Sequence, residues 1–372
     1  MSNRERLLRA ARFERPDRIP ITMGINNACW HHYPQDALQA LMAEHPLLFP
    51  NFKPQQLPIK PAYAPWRIAG RLYTDTWGCV WQTVENGITG AVSRPALPSW
   101  EAFDHYPPPD PKTQNGWGAQ DWQQETARIA RARERGDLVQ GSLRHGHTFL
   151  TLSYIRGYES LLFDMSDEEP RLGVLIEMVE TFNTALVQRY VDLGVEWLGF
   201  PEDLGMQRGP MLSPQHFRTY IKPSYVRMMA LAREAGCVVH MHSDGDIRRL
   251  AGDLLDCGVD VINVQDLVNG LDWLAETFAG RICIDLDLDR QRVTRFGSPE
   301  DIDALVLEAV TKLGSRDGGL ILRHGLMPGL PLANIAALMD AMERYAIHWG
   351  GTGTRAKGNG TKDPETACDG VN

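Results

Sequence analysis

Residues 238–246 read Val-Val-His-Met-His-Ser-Asp-Gly-Asp, a short apolar strand that ends in a glycine turn. Side chains alternate between the two faces of a strand, so His240 and His242 are expected to point to the same side. His242 stands where the strand ends, and Asp244 follows in the loop. Ligands bind outside the carboxyl ends of parallel strands, which makes this strand end the first candidate for a functional site.

Strand-like and helix-like segments alternate on both sides of this stretch. The helical segment over 214–235 begins at Ser213-Pro214 and ends at Gly236, which are typical start and stop residues. The alternation predicts an α/β fold with a parallel sheet, either a barrel or a doubly wound sheet. Seven strands are predicted, and an eighth has no clear position: 18–23, 137–142, 195–200, 237–242, 259–264, 281–285 and 319–322.

The segment 54–110 differs from the rest because it is rich in Pro and Trp and lacks helical spacing. Within it, 76–84 and 88–92 flank Glu85-Asn-Gly87 and predict a hairpin, since Asn-Gly is a strong turn signal. We expect this excursion either to cover the mouth of the barrel or to be a plain surface insertion. Residues 1–348 are predicted to form one domain, and the Gly-, Thr- and Lys-rich tail 349–372 is predicted to be disordered.

The composition limits the classes of partner. The net charge is −9 and the sequence pI is near 5.7, which argues against nucleic acid and anionic membranes. The sequence shows neither an apolar run of about 18 residues nor a secretory signal, so a cytoplasmic protein is expected. The six cysteines form no Cys-x-x-Cys pair and are expected to be reduced thiols.

A second strand end carries a histidine. Residues 319–325, Gly-Leu-Ile-Leu-Arg-His-Gly, predict a buried strand that ends at His324. Because parallel strands end on one face of a barrel, His242, Asp244 and His324 are predicted to converge. Two imidazoles and a carboxylate suit a divalent transition metal with an open coordination position. The spacing also matches an iron facial triad, although that triad usually sits on an all-β scaffold.

Further polar residues follow other predicted strands. Glu202 is a candidate fourth ligand, displaceable ligand or general base, and Asp203 beside it is a second catalytic candidate. His240 is interpreted as orienting a ligand. Arg144, His145 and His147 either bind an anionic substrate group or cap the next helix. The candidates for lining the substrate pocket are Asn26, Trp30, His31, Arg144, His145, His147, His240, Gln265 and Asp289.

Several motifs together resemble the uroporphyrinogen decarboxylase superfamily. Its start is similar to residues 3–20, Asn-Arg-Glu-Arg-Leu-Leu-Arg-Ala-Ala-Arg-Phe-Glu-Arg-Pro-Asp-Arg-Ile-Pro. The resemblance extends over nearly the whole chain outside the tail and implies a single (β/α)8 TIM-type barrel. Its other motifs are Asp75-Thr-Trp-Gly-Cys-Val-Trp81, Glu202-Asp-Leu-Gly205, Leu212-Ser-Pro214, Ile221-Lys-Pro223, His242-Ser-Asp-Gly-Asp-Ile247 and Pro331-Leu-Ala-Asn-Ile335.

The resemblance favours one branch of that superfamily. True decarboxylases carry an Arg-Gln-Ala-Gly-Arg loop, where this chain has Gly24-Ile-Asn-Asn-Ala-Cys-Trp30. The other branch contains zinc methyltransferases that work with corrinoid proteins and bind zinc through His-x-Cys and a later Cys or His. By that resemblance His242, Asp244 and His324 are the ligands, with Asp244 standing where the branch has cysteine. A carboxylate is a harder ligand than a thiolate.

The resemblance implies a zinc-dependent methyltransferase acting on a small methoxy, methylamine or thiol substrate. The chain has no Asp-x-His-x-x-Gly motif, so a corrinoid would be carried by a separate protein. A metal-assisted decarboxylase or lyase of a small carboxylated substrate is the alternative, motivated by Asp244 and by the Arg144, His145 and His147 group. A non-catalytic binding barrel is a third possibility, and a homodimer is left open.

Overall fold

The computed structural model describes residues 1–347, and the tail predicted to be disordered lies outside them. A sheet of seven parallel strands forms the centre of the fold. The predicted strands are all confirmed, and each begins one to three residues before the observed one. The strands are β1 (Ile21–Ile25), β2 (Gln140–Ser142), β3 (Trp197–Pro201), β4 (Val238–Ser243), β5 (Val261–Gln265), β6 (Cys283–Asp287) and β7 (Leu320–Leu326).

The order of the strands agrees with a TIM-type barrel. It runs β1-β7-β6-β5-β4-β3-β2, so the first strand pairs with the last and the others follow in sequence. A doubly wound sheet would instead reverse its strand order at a switch point. Between β1 and β2, where a (β/α)8 barrel has its second strand, the described residues contribute no strand to this sheet.

The segment between β1 and β2 contains a small antiparallel sheet instead. Its strands are Tyr73–Thr74, Val80–Gln82 and Ala91–Arg94. The last two overlap the segments 76–84 and 88–92 of the predicted hairpin but are shorter. Asp75 stabilises this small sheet. Its carboxylate accepts hydrogen bonds from the backbone N–H groups of Trp77 and Cys79 and from the indole N–H of Trp81.

Helices follow most of the strands. The helix predicted over 214–235 is confirmed in three consecutive pieces, which are Pro214–His216, a turn of π-helix at Phe217–Ile221, and Lys222–Glu234. The Ser213 hydroxyl caps its start. The other helices are Asn3–Arg12, Cys29–His32, Gln35–Glu44, Trp122–Glu134, Phe149–Arg156, Tyr158–Ser166, Pro170–Asp192, Ala251–Asp256, Asp266–Asn269, Leu271–Phe278, Val293–Phe296, Pro299–Leu313 and Leu332–Ala346, with 3₁₀ turns at Pro65–Arg67 and Trp100–His105. Within residues 1–347, no helix combines the length and apolar character needed to cross a bilayer.

The two ends of the barrel interior differ in polarity. At the amino end of the strands, Trp197, Val238 and Ile321 pack with Leu8 and other side chains of helix Asn3–Arg12 in an apolar cluster. Two residues further along the strands, the same face carries polar side chains, which are His240, Asn263, Asp285 and Arg323. The apolar end closes the barrel, so the polar carboxyl end is where a ligand can enter.

Candidate metal centre

Three side chains from consecutive strand ends meet at the carboxyl end of the barrel. His145 follows β2, Asp203 follows β3 and His242 lies in β4. The Nε2 atoms of His145 and His242 each lie 3.4 Å from Asp203 Oδ1. The three ligand atoms are all within 4.8 Å of one another, and residues 1–347 contain no other such group of three His, Cys, Asp or Glu side chains.

The loop that carries Asp203 is attached to the end of β4. Asp203 Oδ1 accepts the backbone N–H of Asp244, and Gly205 N–H donates to the Asp244 carbonyl. A Cβ on Gly205 would lie 2.5 Å from the backbone nitrogen of Asp246, so only glycine allows this close approach. The two loops therefore hold Asp203 beside His242.

Asn263 determines which nitrogen of His242 is free. The Asn263 amide nitrogen donates to the backbone carbonyl of Asp285 at 2.7 Å, which turns its Oδ1 toward His242 Nδ1. An amide oxygen only accepts, so Nδ1 of His242 carries the proton and donates it. Nε2 is then the unprotonated nitrogen of the neutral ring, and it faces Asp203. This is the arrangement that metal-binding histidines have in proteins.

The charges of the cluster reinforce one another. Burial raises the pKa of Asp203, but the hydrogen bonds and charges of His145 and His242 outweigh burial and hold this pKa well below its usual range. Burial lowers the pKa of His242, yet the hydrogen bond with Asp203 and the charges of Asp244 and Asp203 raise it to about 9. Asp203 is thus a carboxylate near neutral pH, and without a metal His242 holds a second proton on Nε2, which a metal ion bound there would replace.

Asp244, predicted as a ligand, lies next to the cluster. Its Oδ1 is 3.8 Å from His242 Nε2, but 3.1 Å from the guanidinium of Arg290. Arg290 also binds Asp287 at 2.8 Å. Burial raises the pKa of Asp287 to about 6, although the charge of Arg290 opposes that effect. In this structure Asp244 is therefore engaged by Arg290 rather than by the two imidazoles.

His324, the other predicted ligand, is not brought to the cluster. Its neighbours in β7 are interior residues, since Arg323 bonds Asp285 and a Cβ on Gly325 would face Arg290. Alternation then puts His324 on the opposite face of the strand. There its Nδ1 contacts the Leu288 carbonyl at 3.2 Å, and the ring is fully buried. The structure thus brings His145 and Asp203, not His324, to His242.

Glu202 has its carboxylate turned away from Asp203. It accepts hydrogen bonds from the backbone N–H groups of Thr148, Phe149 and Leu150, and from the hydroxyl of Tyr225. The first three lie at the start of helix Phe149–Arg156, whose unpaired N–H groups attract a carboxylate. Glu202 is completely buried, so it is placed as a helix cap rather than as a base at the mouth.

His240 lies one interior position deeper than His242. Its Nε2 is 2.8 Å from Asp285 Oδ2, which also accepts the Nε–H of Arg323 at 2.8 Å. Its ring centroid is 5.3 Å from that of Trp197, at the edge of the apolar end. His240 therefore forms no hydrogen bond with His242. The side chain that orients His242 is Asn263, not His240 as the sequence had suggested.

The side chains of the remaining predicted pocket residues are mostly engaged by neighbouring turns and loops. The side-chain oxygens of Asn26, Gln265 and Asp289 accept backbone N–H groups of nearby turns. Trp30 is buried, whereas His31 is exposed beside Tyr63. His147 is buried with its Nδ1 on the Thr148 hydroxyl, and Arg144 pairs with Asp75 at 3.4 Å under the ring of Trp117.

Three residues of the site escaped the sequence analysis, namely Asn263, Arg290 and Arg323. Asn263 had a usable signal, because it interrupts the apolar run Val261-Ile-Asn-Val264 and stands two residues before the strand end. Arg323 precedes His324 inside a strand, where an arginine needs a buried partner. Arg290 lies in a loop, and nothing in its spacing connects it to Asp244.

Comparison with known proteins shows the family of the chain. The family model described as uroporphyrinogen decarboxylase (URO-D) matches residues 73–345, well over half of the chain. No curated protein matches the chain. Among solved structures, a methyltransferase from Methanosarcina mazei aligns with a TM-score of 0.64 and 17% identity, covering 93% of this chain and 99% of that one.

A D-psicose 3-epimerase determined with D-fructose aligns less well, with a TM-score of 0.39 and 9% identity, covering 62% of this chain and 86% of that one. At these identities the two alignments concern the fold, and only the first is close enough to be informative. The match of the family model confirms the superfamily that the motifs had indicated. The chain therefore belongs to the uroporphyrinogen decarboxylase (URO-D) family.

Proposed function

We propose that the chain is a metal-dependent methyltransferase whose metal, zinc, is held by His145, Asp203 and His242. The observation that carries the proposal is the hydrogen bond between His242 and Asn263, which occupies Nδ1 and makes Nε2, on the side of Asp203, the nitrogen that can bind a metal. Two imidazoles and one carboxylate form the donor set expected of a catalytic zinc site with an open position.

The charges around the cluster also suit a divalent cation. Arg290 and Arg323 bring two positive charges to this end of the barrel, where they form ion pairs with carboxylates. Four carboxylates and these two arginines leave a net charge of −2 at this end of the barrel. A divalent ion would balance both negative charges, whereas a proton on His242 balances only one. The four carboxylates concerned are Asp203, Asp244, Asp285 and Asp287.

The cluster is open to an incoming substrate. The side chains of His145, Asp203 and His242 are 44%, 27% and 19% exposed, so the donor atoms border the mouth of the barrel. A metal bound here would act as a Lewis acid on the heteroatom that carries the methyl group. The residues of the chain hold and orient the donors, and Asp203 keeps its negative charge because both imidazoles lower its pKa.

The likeness in fold to a methyltransferase supports the choice of reaction. We propose a small methoxy, methylamine or thiol compound as the substrate and a separate corrinoid protein as the partner that exchanges the methyl group. In the alternative, a metal-assisted decarboxylase, the same site would release CO2 from a small carboxylated substrate. Assaying demethylated product and CO2 from one reaction mixture separates the two reactions.

Metal analysis of purified variants tests the proposal. We expect about one zinc per wild-type chain, and loss of zinc in His145→Ala, Asp203→Ala and His242→Ala. His105→Ala is the matched control, because His105 is exposed at the end of a 3₁₀ turn outside the cluster. A wild-type chain that binds no zinc, or triad variants that keep zinc as the control does, would contradict the proposal.

A further inference from the structure

We propose that Arg323 binds a carboxylate of the substrate on the floor of the barrel pocket, below the metal ligands. The inference rests on the proposed function, which it deepens by naming the class of substrate. It predicts that the molecule carrying the methyl group also carries a carboxylate.

Arg323 is held in place by a rigid partner. Its Nε–H donates to Asp285 Oδ2 at 2.8 Å, and the same oxygen contacts His240 Nε2 at 2.8 Å. Asp285 is completely buried on the neighbouring strand β6. The charge of Arg323 lowers the pKa of Asp285 against the opposing effect of burial, so the pair stays ionised. A guanidinium anchored in this way presents a fixed donor surface.

The outer edge of the guanidinium is left for a ligand. Asp285 uses only the Nε–H group, and within residues 1–347 no acceptor bonds either terminal nitrogen of Arg323. Asp287, the next interior carboxylate of β6, forms its ion pair with Arg290 instead. Two parallel N–H groups at the end of an arginine match the geometry of a carboxylate. If Arg323 served only to balance the charge of Asp285, its two terminal nitrogens would not need to stay without a partner.

This edge faces the space enclosed by the strands. Arg323 lies level with Thr22 of β1 and Asp287 of β6, and its contact with Asp285 confirms that it points inward. Even so, 40% of its side chain is exposed, while Asp285 is not exposed at all. An interior side chain with that exposure borders an accessible pocket.

A chain of hydrogen bonds connects Arg323 to the metal ligands. Arg323 bonds Asp285, the Asp285 carbonyl accepts Asn263, and Asn263 accepts His242. Along β5, Asn263 lies level with His242 on one side and with Asp285 on the other. Arg323 and His240 both contact Asp285, and each stands two residues beyond a side chain of the apolar cluster at the amino end. Arg323 therefore lies in the same interior layer as His240, one position below His242. A carboxylate bound there would leave the opposite end of a small molecule at the metal.

Methoxyacetate and its uncharged analogue methoxyacetamide are suitable probes. Their binding to the metal-free and the zinc-loaded protein is measured by calorimetry, without reference to turnover. We expect the zinc-loaded wild-type protein to bind the acid about 10- to 100-fold more tightly than the amide, as for hydrogen bonds to a charged group. In the metal-free protein the unbalanced charges of Asp203 and Asp244 should make this preference smaller without reversing it. Arg323→Met should remove this preference, and Arg249→Met, which changes an exposed arginine, should keep it.

Arg323→Lys covers the case in which the methionine variant does not fold. Lysine keeps the charge but lacks the fork, so we expect the acid to bind roughly tenfold more weakly. Equal binding of acid and amide by the wild-type protein, or an undiminished preference in folded Arg323→Met or Arg323→Lys, would overturn the inference. Failure to bind zinc together with a preference that depends on Arg323 would contradict only the proposed function.

Discussion

Nδ1 of His242 donates its proton to the side-chain oxygen of Asn263, and the Asn263 amide group is itself fixed by the carbonyl of Asp285. Because this relationship settles which imidazole nitrogen is available, Asn263→Ala should weaken zinc binding. Loss of an outer hydrogen-bond partner typically costs 10- to 100-fold in metal affinity, and we expect an effect of about that size. Competition with a chromophoric chelator measures it.

The control for Asn263→Ala is Asn27→Ala, which removes an exposed asparagine that binds the Ala62 carbonyl. Zinc affinity should remain at the wild-type value in this control. If folded Asn263→Ala bound zinc as tightly as the wild-type protein, Asn263 would not orient His242, and the main support for the metal site would be lost.

Replacing His324 should affect stability but not the metal. The ring is completely buried on the outer face of β7, so His324→Ala creates a cavity and should lower the free energy of unfolding by about 1–3 kcal/mol. The folded variant should retain one zinc per chain. Chemical unfolding and metal analysis of the same preparation check both outcomes, and loss of zinc from a well-folded variant would return His324 to the ligand set.

The same histidine makes stability depend on pH. Burial lowers the pKa of His324 to about 4, although the hydrogen bond with the Leu288 carbonyl opposes this effect. The unfolded chain therefore binds a proton below about pH 6.5 that the folded protein does not accept until about pH 4. The free energy of unfolding should fall as the pH falls through this window, by on the order of 1 kcal/mol per pH unit.

Other groups also titrate in that range, so the test compares variants. Urea unfolding at pH 7.5, 6 and 5 should give a shallower pH dependence for His324→Gln than for the wild-type protein. Identical slopes would mean that His324 is not held in its neutral form.

Glu202 should prove structural. In Glu202→Gln the amide can accept with only one of its two terminal atoms, so at least one N–H group of the helix start at Phe149 loses its acceptor. An unsatisfied buried donor costs about 1–3 kcal/mol. Thermal unfolding should show this loss, with Glu159→Gln, at an exposed glutamate, as the control. A variant as stable as the wild type but inactive would instead support Glu202 as a base.

The strands were predictable because each is a short apolar run between polar turns, and β4 also revealed that His240 and His242 share a face. The face occupied by His324 was not predictable. A strand buried on both sides is apolar at every position, so the run Leu320-Ile-Leu322 does not tell which side faces the interior. The contacts across the barrel do, above all the pairing of Arg323 with Asp285 between β7 and β6.

The loops limited the prediction of the site in the same way. Glu202 and Asp203 are adjacent in sequence, yet one caps a helix and the other meets two histidines. Side chains in loops do not alternate with a regular period, so the spacing could not predict which of the two carboxylates caps the helix and which one meets the histidines. His145 was recognised as a pocket residue, but its meeting with His242 depends on how the loops after β2 and β3 pack.

A crystal structure with zinc, solved with anomalous scattering at the zinc edge, tests the central claim most directly. The account predicts one strong anomalous peak about 2.0–2.2 Å from Nε2 of His145, Nε2 of His242 and a carboxylate oxygen of Asp203. A peak bound instead by His324, or the absence of any peak between these three side chains in zinc-saturated crystals, would contradict it.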